Sequence, residues 1–420
     1  MDIIEDLNWR GLINQSTEIE ALTKHLNEDL CTLYSGFDPT ADSLHVGHLV
    51  PLLVLKRFQQ AGHKPIVLVG GATGMIGDPS FKDAERSMNA TEVVHAWTDK
   101  LQKQTSQFLA FNDDKNSAIA VNNYDWTKSM DVISFLRDVG KHFSVNMMMN
   151  RESVKQRLNR DDSGISFTEF SYTLLQGMDY QELNKNYGCT LQIGGSDQWG
   201  NIMSGVDLCR RMNSNHVHAL TLPLITKADG TKFGKTESGA IWLDPLKTSP
   251  YSFYQFWLNI DDSSVENYLK VYTFLTKDDI DAVMTQQKEA PHLRHGQKTL
   301  AQNVTDLVHG EESRISAEHI TQALFKGSLQ DLSMHDFMQL KQDGMPSDTI
   351  NQPMSLLEAL IEIDIAPSNK EARKLIEGNA IGINGIKVTD SDYILSPENA
   401  LHGCHVLKKG KKYYHMVSFS

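Results

Sequence analysis

The sequence predicts an α/β chain: a doubly wound parallel sheet with a helical insertion, then a helical domain, then a small α+β unit. Three observations predict it. Short β-rich runs alternate with helical patterns over the first two hundred residues, strand signals vanish between residues 250 and 325, and a hairpin signal returns near the end. With 420 residues the chain is too long for one ordinary core, so two or three domains are expected.

Residues 30–34, Leu-Cys-Thr-Leu-Tyr, read as the first strand and residues 49–60 as an amphipathic helix. Residues 65–70 read as a buried strand, 91–111 as a long helix, and 117–121 and 190–194 as further strands. Such alternation implies right-handed crossovers and a parallel sheet with helices on both faces. Ligands of such a sheet sit beyond the carboxyl ends of the strands, which singles out the residues just after Leu33, Val69 and Ile193. Residues 126–186 read as a mainly helical insertion. Its Met147-Met148-Met149 run suits either core packing or a partner subunit, because methionine is apolar and adaptable.

The expected organisation is therefore a sheet domain over 1–225, a loop and helical domain over 226–327, a linker over 328–352 and a compact unit over 353–420. The linker reading rests on polar, Gly and Pro residues such as Gly344-Met345-Pro346-Ser347. In the last unit, helices are expected over 355–363 and 369–377, and Asn384-Gly385 is a hairpin turn signal.

Composition narrows the function classes. Hydrophobic residues make up 40% and charged residues 22%, the balance of an ordered globular chain. No apolar run approaches the roughly 18 residues of a membrane span, and the acidic Met1-Asp2-Ile3-Ile4-Glu5-Asp6 start lacks a signal-peptide pattern. A cytoplasmic chain with no membrane partner is expected. Cys31, Cys189, Cys209 and Cys404 are too scattered for a zinc site or a disulfide framework, so reduced thiols and no protein-caged metal are expected. The net charge of −13 argues against indiscriminate nucleic-acid binding. Residues 351–420 balance eight basic against eight acidic residues, which leaves that whole charge on residues 1–350.

Two segments carry chemistry. In Asp38-Pro39-Thr40-Ala41-Asp42-Ser43-Leu44-His45-Val46-Gly47-His48 a strand gives way to a turn and then to a helix starting near Gly47. Two histidines three apart stand where free backbone N–H groups favour anions, and Gly47 lets a flat ring approach the backbone. Pro51 is expected to fall among the helix's first unpaired donors. Alone, the pair is equally an ordinary helix start or half a metal site. The second segment, residues 226–236, sets Lys232 and Lys235 three apart beside Gly230, Gly234 and Thr236. Ammonium groups on a loop with glycine hinges can neutralise charge developing on a polyphosphate. It lacks the spacing of a Walker loop, and by itself it is also a plain solvated basic loop.

Taken together and in this order, the two segments resemble the paired signatures of class I aminoacyl-tRNA synthetases. The resemblance sharpens to the bacterial tyrosyl-tRNA synthetases and covers essentially the whole chain. Tyr34-Ser35-Gly36-Phe37-Asp38-Pro39-Thr40, Gly74-Met75-Ile76-Gly77-Asp78-Pro79-Ser80, Tyr172-Thr173-Leu174-Leu175-Gln176-Gly177-Met178-Asp179 and Gly194-Gly195-Ser196-Asp197-Gln198-Trp199-Gly200-Asn201 carry it. Val46, His48 and Phe233-Gly234 depart from the class-wide consensus but are usual for this branch.

The resemblance implies a Rossmann-like catalytic domain, a tyrosine–tRNA ligase activity and a homodimer formed through the helical insertion. It implies that L-tyrosine and ATP form tyrosyl-adenylate and pyrophosphate, and that tyrosine then passes to the terminal adenosine of tRNA(Tyr). Tyr34 and Asp179 would meet the phenol, and Asp78, Tyr172, Gln176 and Gln198 the rest of the tyrosine. Gly36, Asp38, Gly47, Gly195, Asp197 and Gln198 would line the nucleotide and adenylate, Thr40 and His45 the phosphates, and His48 the ribose side. Lys82, Arg86, Lys232, Lys235 and Thr236 would surround the leaving pyrophosphate, with magnesium arriving on the ATP. The Tyr34/Asp179 pair favours a phenol over the indole of a tryptophan-specific relative. The last unit looks like a small RNA-binding domain shared with a ribosomal small-subunit protein, which puts Lys370, Arg373 and Lys374 toward RNA.

Overall fold

The computed structural model describes residues 2–80, 90–112, 114–158, 164–226, 233–236, 239–326, 329–343, 345–410 and 413–419. The chain divides into two compact units, residues 1–244 with 261–296, and residues 245–260 with 297–420.

In the first unit a six-stranded sheet holds β1 (Gln15–Ser16), β2 (Thr32–Phe37), β3 (Lys64–Val69), β4 (Ile119–Asn122), β5 (Cys189–Gly195) and β6 (His218–Leu222), in the order β1-β6-β5-β2-β3-β4. All neighbours are parallel except β1, which runs antiparallel on β6. Both faces of a parallel sheet are covered, so β2 is buried along nearly its whole length and only Gly36 is open. The expected strands 30–34, 65–70, 117–121 and 190–194 correspond to β2 to β5. The short polar β1 and the five-residue β6, His-Ala-Leu-Thr-Leu, escape a reading based on local pattern.

Between β2 and β3 the helix Val46–Gln60 buries Val46, Leu49, Val50, Leu52, Leu53, Leu55 and Phe58. Its start lies earlier than the sequence suggested, and this corrects the reading of Pro51. That proline sits inside the helix, past the first unpaired donors, so the bond from residue 51 to the Gly47 carbonyl cannot form. The expected 91–111 helix stops at Thr105. Thr105 and Ser106 both turn their hydroxyls onto the Gln102 carbonyl, a local alternative to continuing the ladder. The insertion consists of short helices followed by Phe167–Tyr187, whose end is capped by Gly188 in the left-handed region at φ 65°. Helix Trp199–Asn213, not anticipated from the sequence, returns the chain to β6.

The second unit carries the helices Pro250–Leu258 and Glu311–Lys326 and a five-stranded sheet. Most of the described residues between 329 and 350 lie in helices or a strand, where composition suggested a linker over 328–352. A Ser333/Asp336 capping box starts the helix Met334–Gln342, whose Phe337 and Leu340 pack with Ile320, Ala323 and Leu332. Ser347–Ile350 then pairs in parallel with Tyr413–Phe419. That partner lies far along the chain, so nothing near residue 347 announces the strand. Helices Leu356–Glu362 and Asn369–Glu377 fall where expected, and Asn384-Gly385 turns Ile381–Ile383 onto Ile386–Lys387. Among the described residues no helix is long and apolar enough to cross a membrane.

Candidate active site

Strand order reverses at β2, which has β3 on one side and β5 on the other. A crevice opens beyond the carboxyl ends of strands at such a point. Here it is a cavity of about 370 Å³, lined by Gly36, Asp38 and Thr40 after β2, by Gly195, Asp197 and Gln198 after β5, and by Asp78, Tyr172, Gln176 and Asp179. Tyr34, His45, Gly47 and His48 complete the lining among the predicted residues.

One face of the Phe167–Tyr187 helix supplies the floor, because residues 172, 176 and 179 are spaced by four and three. Asp179 is 2% exposed. Its carboxylate accepts from Asn123 Nδ2 and Trp126 Nε1, each at 3.0 Å. Burial raises its pKa to about 7, against the pull of these two donors. Tyr34 is fully buried, and burial followed by the Asp179 charge pushes its phenol up. Among the described residues its hydroxyl has no hydrogen-bond partner. An unpaired buried hydroxyl costs about 1–3 kcal/mol, which a ligand's polar group placed there would remove.

Higher in the cavity, Asp38 accepts from Thr73 Oγ1 at 2.6 Å and from the Tyr172 hydroxyl at 2.7 Å. Burial, then the Asp38 charge, holds the Tyr172 phenol in its protonated, donating form. A side chain on Gly70 would stand 2.0 Å from Asp38 Oδ1, so this arrangement requires glycine there. Gln198 Nε2 donates to Asp78 Oδ2 at 2.7 Å, and the Ser80 N–H to Asp78 Oδ1 at 3.0 Å. Buried Gln176 Oε1 has no partner among the described residues. The result is a polar pocket with carboxylates at both ends and acceptors left over.

At the rim, His45 caps its helix by accepting from the Gly47 N–H at 3.0 Å, while His48 Nδ1 accepts from the His45 N–H at 3.2 Å. The two rings stack with centroids 4.0 Å apart. The lysine segment reaches the same rim through Phe233, which lies 4.5 Å from the Tyr268 ring and 5.7 Å from that of Tyr272. Lys235-Thr236 pairs antiparallel with Gly239-Ala240. Lys82, Arg86 and Lys232 lie outside the described residues, as do the side chains of Lys235 and Thr236. In the other unit, Lys370, Arg373 and Lys374 are exposed on a helix whose Ala372 and Ile376 face inward. Among the described residues no group of three His, Cys, Asp or Glu is placed to hold a metal.

Sequence reasoning missed Thr73, Asn123, Trp126 and Gln192. Thr73 and Gln192 line the cavity, and Asn123 and Trp126 hold Asp179. Asn123 stands just beyond the carboxyl end of β4, the same position that marks the ligand-facing residues of β2, β3 and β5.

Comparison with known proteins gives the family. Residues 26–326 match the family described as tRNA synthetases class I (W and Y). Residues 336–417 match the tyrosine--tRNA ligase SYY-like C-terminal domain. The chain belongs to the tyrosine branch of the class I tRNA synthetases. A tyrosine--tRNA ligase of Salmonella arizonae is 58% identical over 417 residues, covering 99% of this chain and 97% of its own length. One from Escherichia coli O139:H28 is also 58% identical, covering 99% and 98%. Among solved structures, a C-terminally truncated mitochondrial tyrosyl-tRNA synthetase of Aspergillus nidulans superposes with a TM-score of 0.71. It is 32% identical and covers 77% of this chain and 94% of its own. This kinship accounts for the Rossmann-like sheet and for the small domain at the end of the chain.

Proposed function

We propose that this chain activates L-tyrosine with ATP to tyrosyl-adenylate and pyrophosphate, then transfers tyrosine to the terminal adenosine of tRNA(Tyr). The observation that carries the reading is the pocket floor, where an unpaired, buried Tyr34 hydroxyl and the twice-held Asp179 carboxylate offer a donor and an acceptor. A phenol answers both, because its hydroxyl donates and accepts at the far end of an apolar ring. Asp78, with Tyr172 and Gln176, takes the substrate ammonium, and the amino-acid carboxylate is thereby directed toward the histidine rim. That carboxylate is already a nucleophile, so no general base is needed.

Catalysis then consists of alignment and charge dispersal. Attack of a carboxylate oxygen on the α-phosphorus expels pyrophosphate. Thr40, His45 and His48 meet the nucleotide, and Lys82, Arg86, Lys232, Lys235 and Thr236 neutralise the departing phosphates. Magnesium comes with ATP as part of the substrate. In the second step a ribose hydroxyl of the tRNA terminus attacks the adenylate carbonyl and AMP leaves. The exposed, basic face of the Asn369–Glu377 helix meets the RNA backbone. Exposed Val132, Ile133, Met147 and Phe167 on the insertion support a homodimer, and four free cysteines suit the cytoplasm.

The deciding measurement is amino-acid-dependent exchange of labelled pyrophosphate into ATP, with tyrosine, tryptophan and phenylalanine compared. Exchange driven by tyrosine alone is expected. Exchange driven by tryptophan, or by none of the three, overturns the reading.

A further inference from the structure

Arg151 follows the Val145–Met149 helix and is largely buried, yet its guanidinium meets only neutral groups among the described residues. It donates to the hydroxyls of Thr173 and Ser204 and, at 3.4 Å, to Asn201 Oδ1. Burial pulls its pKa down to about 10. Thr173 belongs to the helix that carries Tyr172, Gln176 and Asp179, and Asn201 and Ser204 belong to Trp199–Asn213. A cation placed here without a carboxylate costs desolvation and demands another reason for its presence.

Hydrogen-bond polarity supplies one. A guanidinium can only donate and a carboxylate can only accept, whereas an amide does both through atoms of similar shape. Arg151 therefore turns Asn201 Oδ1 toward itself and Asn201 Nδ2 away. That Nδ2 donates to Gln198 Oε1 and to Ser80 Oγ, both at 3.3 Å. With its oxygen engaged, Gln198 presents Nε2 to Asp78 Oδ2 at 2.7 Å. Four side chains thus run from cation to carboxylate with every donor pointing the same way.

We propose that Arg151 is a positioning residue for the amino-acid substrate, fixing the Asn201 and Gln198 amides and through them the Asp78 carboxylate. The inference rests on the reading above in which Asp78 meets the substrate ammonium. Without the cation, Asn201 Oδ1 loses the donor that holds it, and only the Asp78 end of the chain still orients the two amides. A reversed Gln198 would set an oxygen against Asp78 and turn the carboxylate out of place.

Pyrophosphate exchange at saturating ATP, with tyrosine varied, tests it on Arg151→Met, Arg151→Lys, Asn201→Asp and the Arg151→Met/Asn201→Asp double variant. Arg151→Met is expected to raise the tyrosine KM about tenfold, with kcat and the ATP KM within about twofold of wild type. Arg151→Lys restores most of the loss, because an ammonium also only donates. Asn201→Asp, which cannot donate to Gln198, raises KM to a similar extent, and the double variant is no worse than either single one. Additive losses, or an unchanged KM in Arg151→Met, overturn the relay. So does a loss confined to tRNA charging, which would make Arg151 a nucleic-acid contact. Should Arg151→Met fail to fold, wild-type KM in Asn201→Asp overturns it equally. A wild-type protein without tyrosine-dependent exchange removes the underlying reading of the pocket. Intact wild-type exchange with an indifferent Arg151→Met removes the relay alone.

Discussion

Gly234 of the lysine segment lies against Val46 of the histidine segment so closely that a Cβ built on it would stand 2.3 Å from Val46 Cγ2. Its φ of +82° is also one that side chains rarely adopt. The neighbouring backbone continues the seam, with the Ile241 N–H on the Gly234 carbonyl and the Val46 N–H on the Ile241 carbonyl. Two segments far apart in the chain thus form one surface at the mouth of the cavity.

Gly234→Ala should therefore disturb both segments at once. Overpacking of this kind costs about 1–3 kcal/mol, and pyrophosphate exchange should slow by about tenfold or more. Exchange at the wild-type rate would mean that this contact does not set the spacing of the lysines.

Asp179→Asn removes the charged acceptor at the floor and leaves Asn123 and Trp126 facing an amide. Hydrogen bonds to charged groups contribute about 1.5–3 kcal/mol, so the tyrosine KM should rise between roughly tenfold and a hundredfold. The ATP KM, measured in the same exchange assay, should stay within about twofold. A matching rise in both would place Asp179 outside the amino-acid pocket.

Asp179 also makes stability depend on pH in a direction opposite to that of most carboxylates. Its folded pKa is about 7 against 3.8 unfolded, so the folded state binds the proton more tightly between those values. Its contribution is complete below about pH 4 and is lost as pH rises toward 7, by at most about 4 kcal/mol. Denaturant midpoints of wild type minus those of Asp179→Asn should fall across that window. A difference that rises with pH contradicts the assignment.

Replacing Lys370, Arg373 and Lys374 together by alanine should leave pyrophosphate exchange unchanged and raise the tRNA KM for charging. If each contacts a phosphate, the salt dependence of tRNA binding should flatten by about two to three units in log–log slope. An unaltered slope would show that this helix face is merely solvated.

Much of the sheet was legible because β2, β3 and β5 are buried on both faces and read as short, nearly unbroken apolar runs. Edge strand β1 and its neighbour β6 gave no such run, and Ser347–Ile350 exists only through its distant partner Tyr413–Phe419. At the site, the predicted residues with described side chains near strand ends do line one cavity. The groups behind them were harder to see. Asn123 and Trp126 matter only because folding brings them to Asp179, and Arg151 only because two helices meet around it.

Residue chemistry and spacing were enough to decide the α/β alternation, the family resemblance and the residue types that a phenol and a phosphate chain require. Such information is local, since a strand's burial, a helix start or a pair of spaced cations is written within a few neighbouring positions. Tertiary structure alone decided which of these groups are held and by what. It set the direction of the amides between Arg151 and Asp78, the raised pKa of Asp179, and the contact of Gly234 with Val46. Those depend on distances across the fold, on the exclusion of water and on packing, and no stretch of sequence contains them.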